Sequence, residues 1–252
     1  MRKFTEWFGL KRMPFDKNID EQSLYLYSQV EEMHQKLELA VDSQTGILIT
    51  GQAGTGKTTG ARVFLDRLET NKYRVIYLGY DQTGKSLFAR LAVEFGMKLG
   101  TSGGRMLQLT QYIKRHVAGA NKQLILVVDE AHLLDWRTLE DIRLLTNSEM
   151  DRKTTVTLIL MGQLWLRSKL KSSGNEALYQ RLRFRYGLEG LTRKQTAEYI
   201  QKQLQSAGCS KELFTEGAYT QIFQASGNER QFELPLDHNR QEYPKYQLRV
   251  RY

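Results

Sequence analysis

The chain has 252 residues, of which 40% are hydrophobic and 26% charged, and its formal net charge is +9. These values are ordinary for a globular protein that buries a core, and they exclude wholesale disorder. The single cysteine, Cys209, cannot form an internal disulfide bond, which fits a reducing compartment. The positive charge favours a polyanionic partner such as nucleic acid, although a merely solvated basic surface remains open.

Residues 1–30 form an N-terminal arm in which Pro14 fixes an extended connection between two apolar clusters. The arm has basic residues but no sustained apolar stretch, so it is not a secretory signal, and the apolar runs elsewhere are too short to span a bilayer. We therefore expect a cytoplasmic protein without a membrane partner. The arm either packs across the core or closes over the base of a bound nucleotide.

The rest of the chain alternates between apolar strands and helical periods. Strands are predicted at residues 45–50, 73–78, 124–128, 154–161 and 183–188. Helices are predicted at residues 31–42, 57–68, 85–97, 106–118, 135–149, 164–170 and 176–182. This alternation predicts a layered α/β sheet with helices on both faces. From residue 192 to 224 the pattern is helical only, which indicates a small second domain.

Residues 51–59, read as GQAGTGKTT, join the first strand to the next helix in the order that a P-loop requires. The glycines let backbone N–H groups approach a phosphate, Lys57 would reach the β- and γ-phosphates, and the Thr58 hydroxyl would bind Mg²⁺. An ordinary glycine-rich turn would need the Lys-Thr pair by accident. We therefore predict ATP and Mg²⁺ as cofactors. The predicted nucleotide-binding residues of this motif are Gly51, Ala53, Gly54, Thr55, Gly56, Lys57, Thr58 and Thr59.

A second motif follows the apolar strand of residues 124–128, which ends in Asp129 and Glu130. In open α/β sheets, ligands bind at the carboxyl ends of the strands. Asp129 would hold Mg²⁺ through water, and Glu130 would orient or deprotonate the attacking water. Such a pair often only ends a strand, but its place after a P-loop favours the catalytic role. His132 is predicted to be a supporting or packing residue, because no partner ligand lies at a metal-binding spacing.

Two further catalytic candidates follow later strands. Gln163, directly after the fourth predicted strand, would sense the γ-phosphate or hold the water, or it is a turn residue. Arg181, Arg183 and Arg185 alternate with apolar side chains, and one of them would reach the γ-phosphate of a neighbouring subunit. We select Arg181 as this arginine finger, although a solvated basic edge remains open.

Several segments together resemble the ExeA-type AAA+ ATPases and, within them, the transposition helpers related to TnsC. These segments are GQAGTGKTT, LILVVDEAHLL, DIRLLTNSEMD, LILMGQ, EALYQRL and FGLKRMPF, and the resemblance covers residues 4–228. It implies a P-loop NTPase fold with five parallel strands in the order 5-1-4-3-2 and a helical lid. It also implies ATP-dependent homo-oligomers, as rings or filaments, that bind double-stranded DNA and a transposase or target-selection protein.

The resemblance divides the chain into the arm at 1–30, an ATPase core at 31–190, a helical lid at 191–230 and an atypical tail at 231–252. Gly227, Asn228 and Arg230 fit the start of a sensor segment, which would bring Arg230 to the nucleotide. The residues that follow have two prolines and no helical period, so either the lid is incomplete or the tail results from a frameshift.

The glycine-rich loop of residues 98–105 is the candidate DNA contact, with Lys98, Thr101 and Arg105 facing phosphates. A plain connecting loop is the alternative. The secretion branch of the family carries a membrane segment and a wall-binding domain that we do not find here, which favours the transposition helpers. Two other functions stay open: a nucleotide-switched binding module with little hydrolysis, and a secretion-linked ATPase.

Overall fold

The computed structural model describes residues 2–15, 24–79, 87–97, 108–109, 111–113, 115, 122–146, 156–172, 174–209 and 211–226. The strands are β1 (Ile47–Gly51), β2 (Tyr73–Leu78), β3 (Gln123–Val128), β4 (Val156–Gly162) and β5 (Phe184–Leu188). The helices are α1 (Arg2–Phe8), α2 (Ser28–Asp42), α3 (Lys57–Asp66), α4 (Leu87–Glu94), α5 (Trp136–Leu145), α6 (Trp165–Lys171), α7 (Glu176–Arg181), α8 (Arg193–Ser206) and α9 (Glu216–Ala225). A 3₁₀ turn spans Ala131–Leu133.

The five strands form one parallel sheet in the order β2-β3-β4-β1-β5, which confirms the predicted order. β1 and β4 are buried along their whole length, and β3 is buried from its second residue. Their continuous apolar runs are what a parallel sheet covered on both faces requires. Because all strands run the same way, the residues that follow β1, β3 and β4 meet at one carboxyl edge.

The observed element bounds differ from the predicted ones by a few residues. Asp135, predicted as the first residue of a helix, is instead the N-cap of α5, where its carboxylate accepts from Thr138 N at 2.7 Å. An N-cap residue has an extended backbone, so Asp135 precedes the helix and is not part of it. α1 was not predicted, because seven residues are too few to establish a helical period.

The described residues fall into two compact units. One, the helical unit, takes in those within Met1–Ser28, Ala53–Thr55 and Glu189–Tyr252, and the other, the sheet unit, those within Gln29–Gln52 and Gly56–Leu188. In the sheet unit, apolar side chains of the strands pack with those of α4 and α5. None of the helices in the described ranges is long and apolar enough to cross a membrane.

The helical unit has its own apolar core, to which the N-terminal arm contributes. Its buried side chains are Leu10, Ile200, Leu204, Ala207, Cys209 and Tyr219. The arm is also hydrogen-bonded to the end of α8, because Lys11 N donates to the Ala207 carbonyl at 2.7 Å. The arm therefore packs on α8 and α9 within this unit. Closure over a nucleotide base stays a prediction.

Candidate active site

The turn between β1 and α3 has the backbone that a P-loop needs. Gly54 and Gly56 have φ angles of 74° and 87°, in the left-handed region that favours glycine. Gly56 is the N-cap of α3 and offers no side chain to the first N–H groups of that helix. These groups and the helix dipole would favour an anion such as a phosphate at this turn.

Lys57 lies inside this turn, with only 6% of the residue exposed. Its Nζ donates to the carbonyl oxygens of Gly51 at 2.9 Å and Gln52 at 2.7 Å. Burial lowers the pKa of the Lys57 ammonium from its ordinary value, and the nearby carboxylates of Glu130 and Asp129 oppose this shift. The backbone therefore holds a positive charge beside the N-terminus of α3, where phosphates would bind.

The carboxylate of Asp129 accepts three hydrogen bonds, and the residue is 3% exposed. Its Oδ2 accepts from Thr58 Oγ1 at 2.6 Å and from the Tyr77 hydroxyl at 2.8 Å, and its Oδ1 accepts from Glu130 N at 2.8 Å. Two motifs that are far apart in the chain thus meet through the Thr58 and Asp129 oxygens.

These oxygens fit Mg²⁺, which binds oxygen ligands and keeps several waters. In the described part of the chain, no group of three or more His, Cys, Asp or Glu side chains could hold a metal ion. The oxygens that would hold Mg²⁺ are those of Thr58 and Asp129, with water in its other positions.

Tyr77 was missed in the sequence, where it was assigned only to a strand. Burial raises the pKa of its hydroxyl, and the hydrogen bond to Asp129 adds to the shift. Tyr77 is the penultimate residue of β2, which pairs with β3 next to Asp129. Its position at the carboxyl edge was the available signal, since a strand tyrosine there reaches the ligands of the neighbouring strand.

Glu130 is much more exposed than Asp129. Its backbone is left-handed at φ 52°, and its side chain is 43% exposed. Its carboxylate lies 3.4 Å from His132 Nδ1. His132 Nδ1 in turn accepts from the backbone amide of Gln163, at 3.3 Å. The structure thus brings Glu130 and Gln163 to the same imidazole.

Arg181 ends α7 at the opposite edge of the sheet. Phe184 pairs with Ile47 at the start of β1, and Leu188 pairs with Gly51 at its end. A Cβ on Gly46 would lie 3.1 Å from the Arg181 carbonyl, so the Arg181 backbone is beside the amino end of β1. Its guanidinium donates to the Arg143 carbonyl at 3.1 Å. Arg183 and Arg185 are exposed, and Arg185 stacks on the Tyr179 ring at 4.0 Å.

The remaining motif residues of the P-loop are Ala53, Gly54, Thr55 and Thr59. Thr55 is buried, Ala53 and Gly54 are exposed in the turn, and Thr59 is exposed in the first turn of α3. The predicted nucleotide contact Arg230 and the predicted DNA contacts Lys98, Thr101 and Arg105 lie outside the described residues.

Known proteins share both sequence and fold with this chain. General secretion pathway protein A of Aeromonas hydrophila is 33% identical over 228 residues, which are 89% of this chain and 42% of that protein. The chain thus spans less than half the length of this relative.

Two solved structures share the fold. Cdc6p from Pyrobaculum aerophilum superposes with a TM-score of 0.60 at 15% identity, covering 81% of this chain and 58% of that one. Aeropyrum pernix ORC1 in complex with DNA superposes with a TM-score of 0.61 at 17% identity, covering 87% of this chain and 56% of that one. The model of the AAA domain family matches residues 41–170, just over half of the chain. The chain therefore belongs to the AAA domain family.

Proposed function

We propose that this protein hydrolyses ATP to ADP and phosphate with Mg²⁺. The observation that carries the proposal is the 2.6 Å contact between Thr58 Oγ1 and Asp129 Oδ2 beside the buried ammonium of Lys57. A glycine turn that only connects a strand to a helix has no need of a carboxylate at its Lys-Thr pair, and Asp129 directly follows β3, two strands away from β1 in the sheet. ATP hydrolysis uses all three groups.

Each residue has a separate role in the reaction. Lys57 balances the charge of the β- and γ-phosphates, while Glu130 accepts the proton of the attacking water as its oxygen bonds to the γ-phosphorus and the bond to ADP breaks. The oxygens of Thr58 and Asp129 would hold Mg²⁺, which would supply positive charge against the charge that develops on the phosphates. Gln163 would contact the γ-phosphate or the water.

Glu130→Gln tests this assignment. We expect the variant to bind ATP with the parent affinity and to hydrolyse it at least about 100-fold more slowly, because the amide cannot accept the proton. Phosphate release and the binding of a fluorescent ATP analogue measure the two properties. Hydrolysis at the parent rate would contradict the role of Glu130.

We further propose that the protein works as a homo-oligomer in which Arg181 acts on the nucleotide of a neighbouring subunit. The β1 register supports this. The Arg181 backbone lies at the amino edge of the sheet, whereas the P-loop lies at the carboxyl edge, about 16 Å away at roughly 3.3 Å per residue. Arg181 is therefore far from the P-loop of its own subunit. Turnover per subunit should rise with protein concentration. Concentration-independent turnover would remove the need for a second subunit.

The regulatory role that we propose is nucleotide-controlled assembly on double-stranded DNA, where the oligomer recruits or activates a transposase. The net charge of +9 supports a polyanionic partner, and the proposal places the protein in the cytoplasm, where ATP and DNA are available. The fold is shared with ORC1, whose structure contains DNA.

The DNA proposal is tested with Lys98→Ala combined with Arg105→Ala. Because phosphate contacts carry no base information, the double variant should bind all duplexes more weakly. The slope of log affinity against log salt should flatten by about one to two units. Binding is measured with ATP present. The pair Thr101→Ala and Ser102→Ala removes hydroxyl groups but no charge, so it is the control for the slope, which it should leave at the parent value even if affinity falls. Equal slopes for the parent and the double variant would place the DNA contact elsewhere.

A secretion-linked ATPase is the second candidate function, and the 33% identity to General secretion pathway protein A favours it. The two functions differ in the effect of DNA. Hydrolysis by a DNA-assembled regulator should change when duplex DNA is added, whereas a secretion-linked ATPase should ignore it.

A further inference from the structure

His132 lies between the two residues that the proposed reaction assigns to the attacking water. Its Nδ1 is 3.4 Å from Glu130 Oε2 and 3.3 Å from Gln163 N. Glu130 follows β3 and Gln163 follows β4, which are neighbours in the sheet. A single nitrogen atom therefore lies within reach of residues at the ends of two neighbouring strands.

The imidazole itself is held firmly. His132 is 3% exposed, and its ring packs edge-to-face on Trp165 with centroids 5.0 Å apart. Its carbonyl oxygen accepts from Lys169 Nζ at 2.9 Å. A Cβ on Gly162 would lie 3.1 Å from Nδ1, so the end of β4 approaches the ring more closely than most residues would allow. The position of the ring is therefore set by its contacts with the end of β4 and with α6.

Glu130 has no comparable support from packing. Its side chain is 43% exposed, and its backbone angle of φ 52° is uncommon for a residue with a Cβ. Strained backbone at such positions persists when surrounding contacts favour it. The direction of this carboxylate therefore depends on its polar neighbour, His132.

Nδ1 can serve only one of its two neighbours at a time. Burial lowers the pKa of the His132 imidazole, and the ammonium groups of Lys57 and Lys169 lower it further, while Glu130 opposes them. The ring is therefore neutral near pH 7. With its proton on Nε2, Nδ1 accepts from the Gln163 amide, and with the proton on Nδ1 it donates to the Glu130 carboxylate.

We propose that His132 is a positioning residue for ATP hydrolysis. Its Nδ1 couples the Glu130 carboxylate to the backbone amide of Gln163. The direction of the general base, Glu130, therefore depends on the position of the end of β4. This rests on the proposed function, in which Glu130 acts on the water. Gln163, which would sense the γ-phosphate, and Glu130, the general base, would thereby share one hydrogen-bonding atom, His132 Nδ1.

Two substitutions separate the nitrogen from the ring. His132→Asn keeps a hydrogen-bonding atom near the place of Nδ1 and loses the ring, whereas His132→Phe keeps the ring against Trp165 and loses the nitrogen. We expect His132→Phe to lower kcat by about tenfold or more with KM for ATP within about twofold, because a misplaced base affects the reaction and not binding. His132→Asn should keep kcat within about threefold of the parent. Equal kcat values for the two variants would overturn the proposal.

Trp165→Leu is the packing control, since it removes the ring contact and leaves Nδ1 in place. It should keep kcat within about threefold of the parent. A loss as large as that expected for His132→Phe would show that packing, not the nitrogen, matters, and this result decides the question even if His132→Phe does not fold. Melting temperatures and the affinity for a fluorescent ATP analogue are measured for every variant.

A double-mutant cycle tests whether His132 acts through Glu130. In the Glu130→Gln background, His132→Phe should slow single-turnover hydrolysis by less than about twofold more, because the base is already lost. A full additional tenfold loss would overturn the coupling. If Glu130→Gln alone hydrolyses ATP at the parent rate, the proposed function fails. If Glu130→Gln is slow and His132→Phe is not, only the role of His132 fails.

Discussion

The carboxyl edge of the sheet and the helical unit differ in the kinds of side chain that they bury. At the edge, Lys57 and Asp129 are 6% and 3% exposed, and their partners are other polar groups of the site. In the helical unit, Leu204 and Tyr219 pack in an apolar core, while Thr192 and Gln195 form a capping box at the start of α8. Buried polar groups contribute little net stability, and apolar burial contributes much. Substitutions at the edge should therefore change ligand binding, and those in the helical unit should change stability.

Lys57→Ala should give the largest effect and is the strongest test of this contrast. Removing the ammonium removes the charge that balances the phosphates, so we expect binding of a fluorescent ATP analogue to weaken by at least about 100-fold. The melting temperature should stay within about 2 °C of the parent. The variant loses two hydrogen bonds, but it no longer bears the free-energy cost of burying a charge, and the two effects offset each other. Binding within tenfold of the parent, or a large loss of stability, would break the contrast.

The sequence predicted the edge better than the helical unit, for a physical reason. The P-loop and the Asp129-Glu130 pair are local: glycine torsions, a lysine and a strand end are all visible in one short segment. Most of the strands were equally visible as apolar runs, whereas the predicted strand at residues 183–188 begins with arginines that alternate with apolar side chains. The order of the strands came from the family resemblance. By contrast, the contact of Lys11 with Ala207 joins residues nearly 200 positions apart, which no local pattern encodes.

Within the edge, the sequence identified the residues that carry motifs and missed one that completes a motif from another strand. Tyr77 has high strand propensity, so its presence in β2 called for no further explanation. His132 was expected to play a supporting role, but its place between Glu130 and Gln163 follows from the pairing of β3 with β4 and could not be read from spacing alone.

Tyr77→Phe should produce a smaller effect, and it is confined to the metal ligands. The variant loses the hydroxyl that donates to Asp129 Oδ2 at 2.8 Å, so that Thr58 and the Glu130 backbone amide remain as the donors to this carboxylate among the residues that the structure describes. Because the residue is 49% exposed, water replaces part of this bond, and we expect the affinity for Mg²⁺-ATP to fall by about three- to tenfold. A Mg²⁺ titration at fixed ATP measures it. Affinity without Mg²⁺ should not change, and an equal loss under both conditions would contradict the role of Tyr77.

Tyr25→Phe is the matched substitution in the helical unit and should have the smallest effect. Tyr25 also donates its hydroxyl to a carboxylate, that of Glu198 on α8. The phenylalanine ring keeps the stacking on Tyr27, with centroids 5.8 Å apart, and the edge contact with Tyr199 at 6.3 Å. Glu198 also keeps Lys194 at 3.9 Å, so its charge is not left without a partner. We expect a loss of about 0.5–1 kcal/mol in the free energy of unfolding, or about 1–4 °C in melting temperature.

Nucleotide affinity decides whether this second tyrosine belongs with stability or with the site. The Tyr27 hydroxyl, next to Tyr25 in the stacked pair, donates to the carbonyl of Thr55 in the P-loop at 3.3 Å. If the pair serves only to hold the arm on α8, then Tyr25→Phe binds Mg²⁺-ATP as the parent does, while Tyr77→Phe does not. An affinity loss equal to that of Tyr77→Phe would instead mean that the pair of Tyr25 and Tyr27 also supports nucleotide binding, through the hydrogen bond from Tyr27 to Thr55.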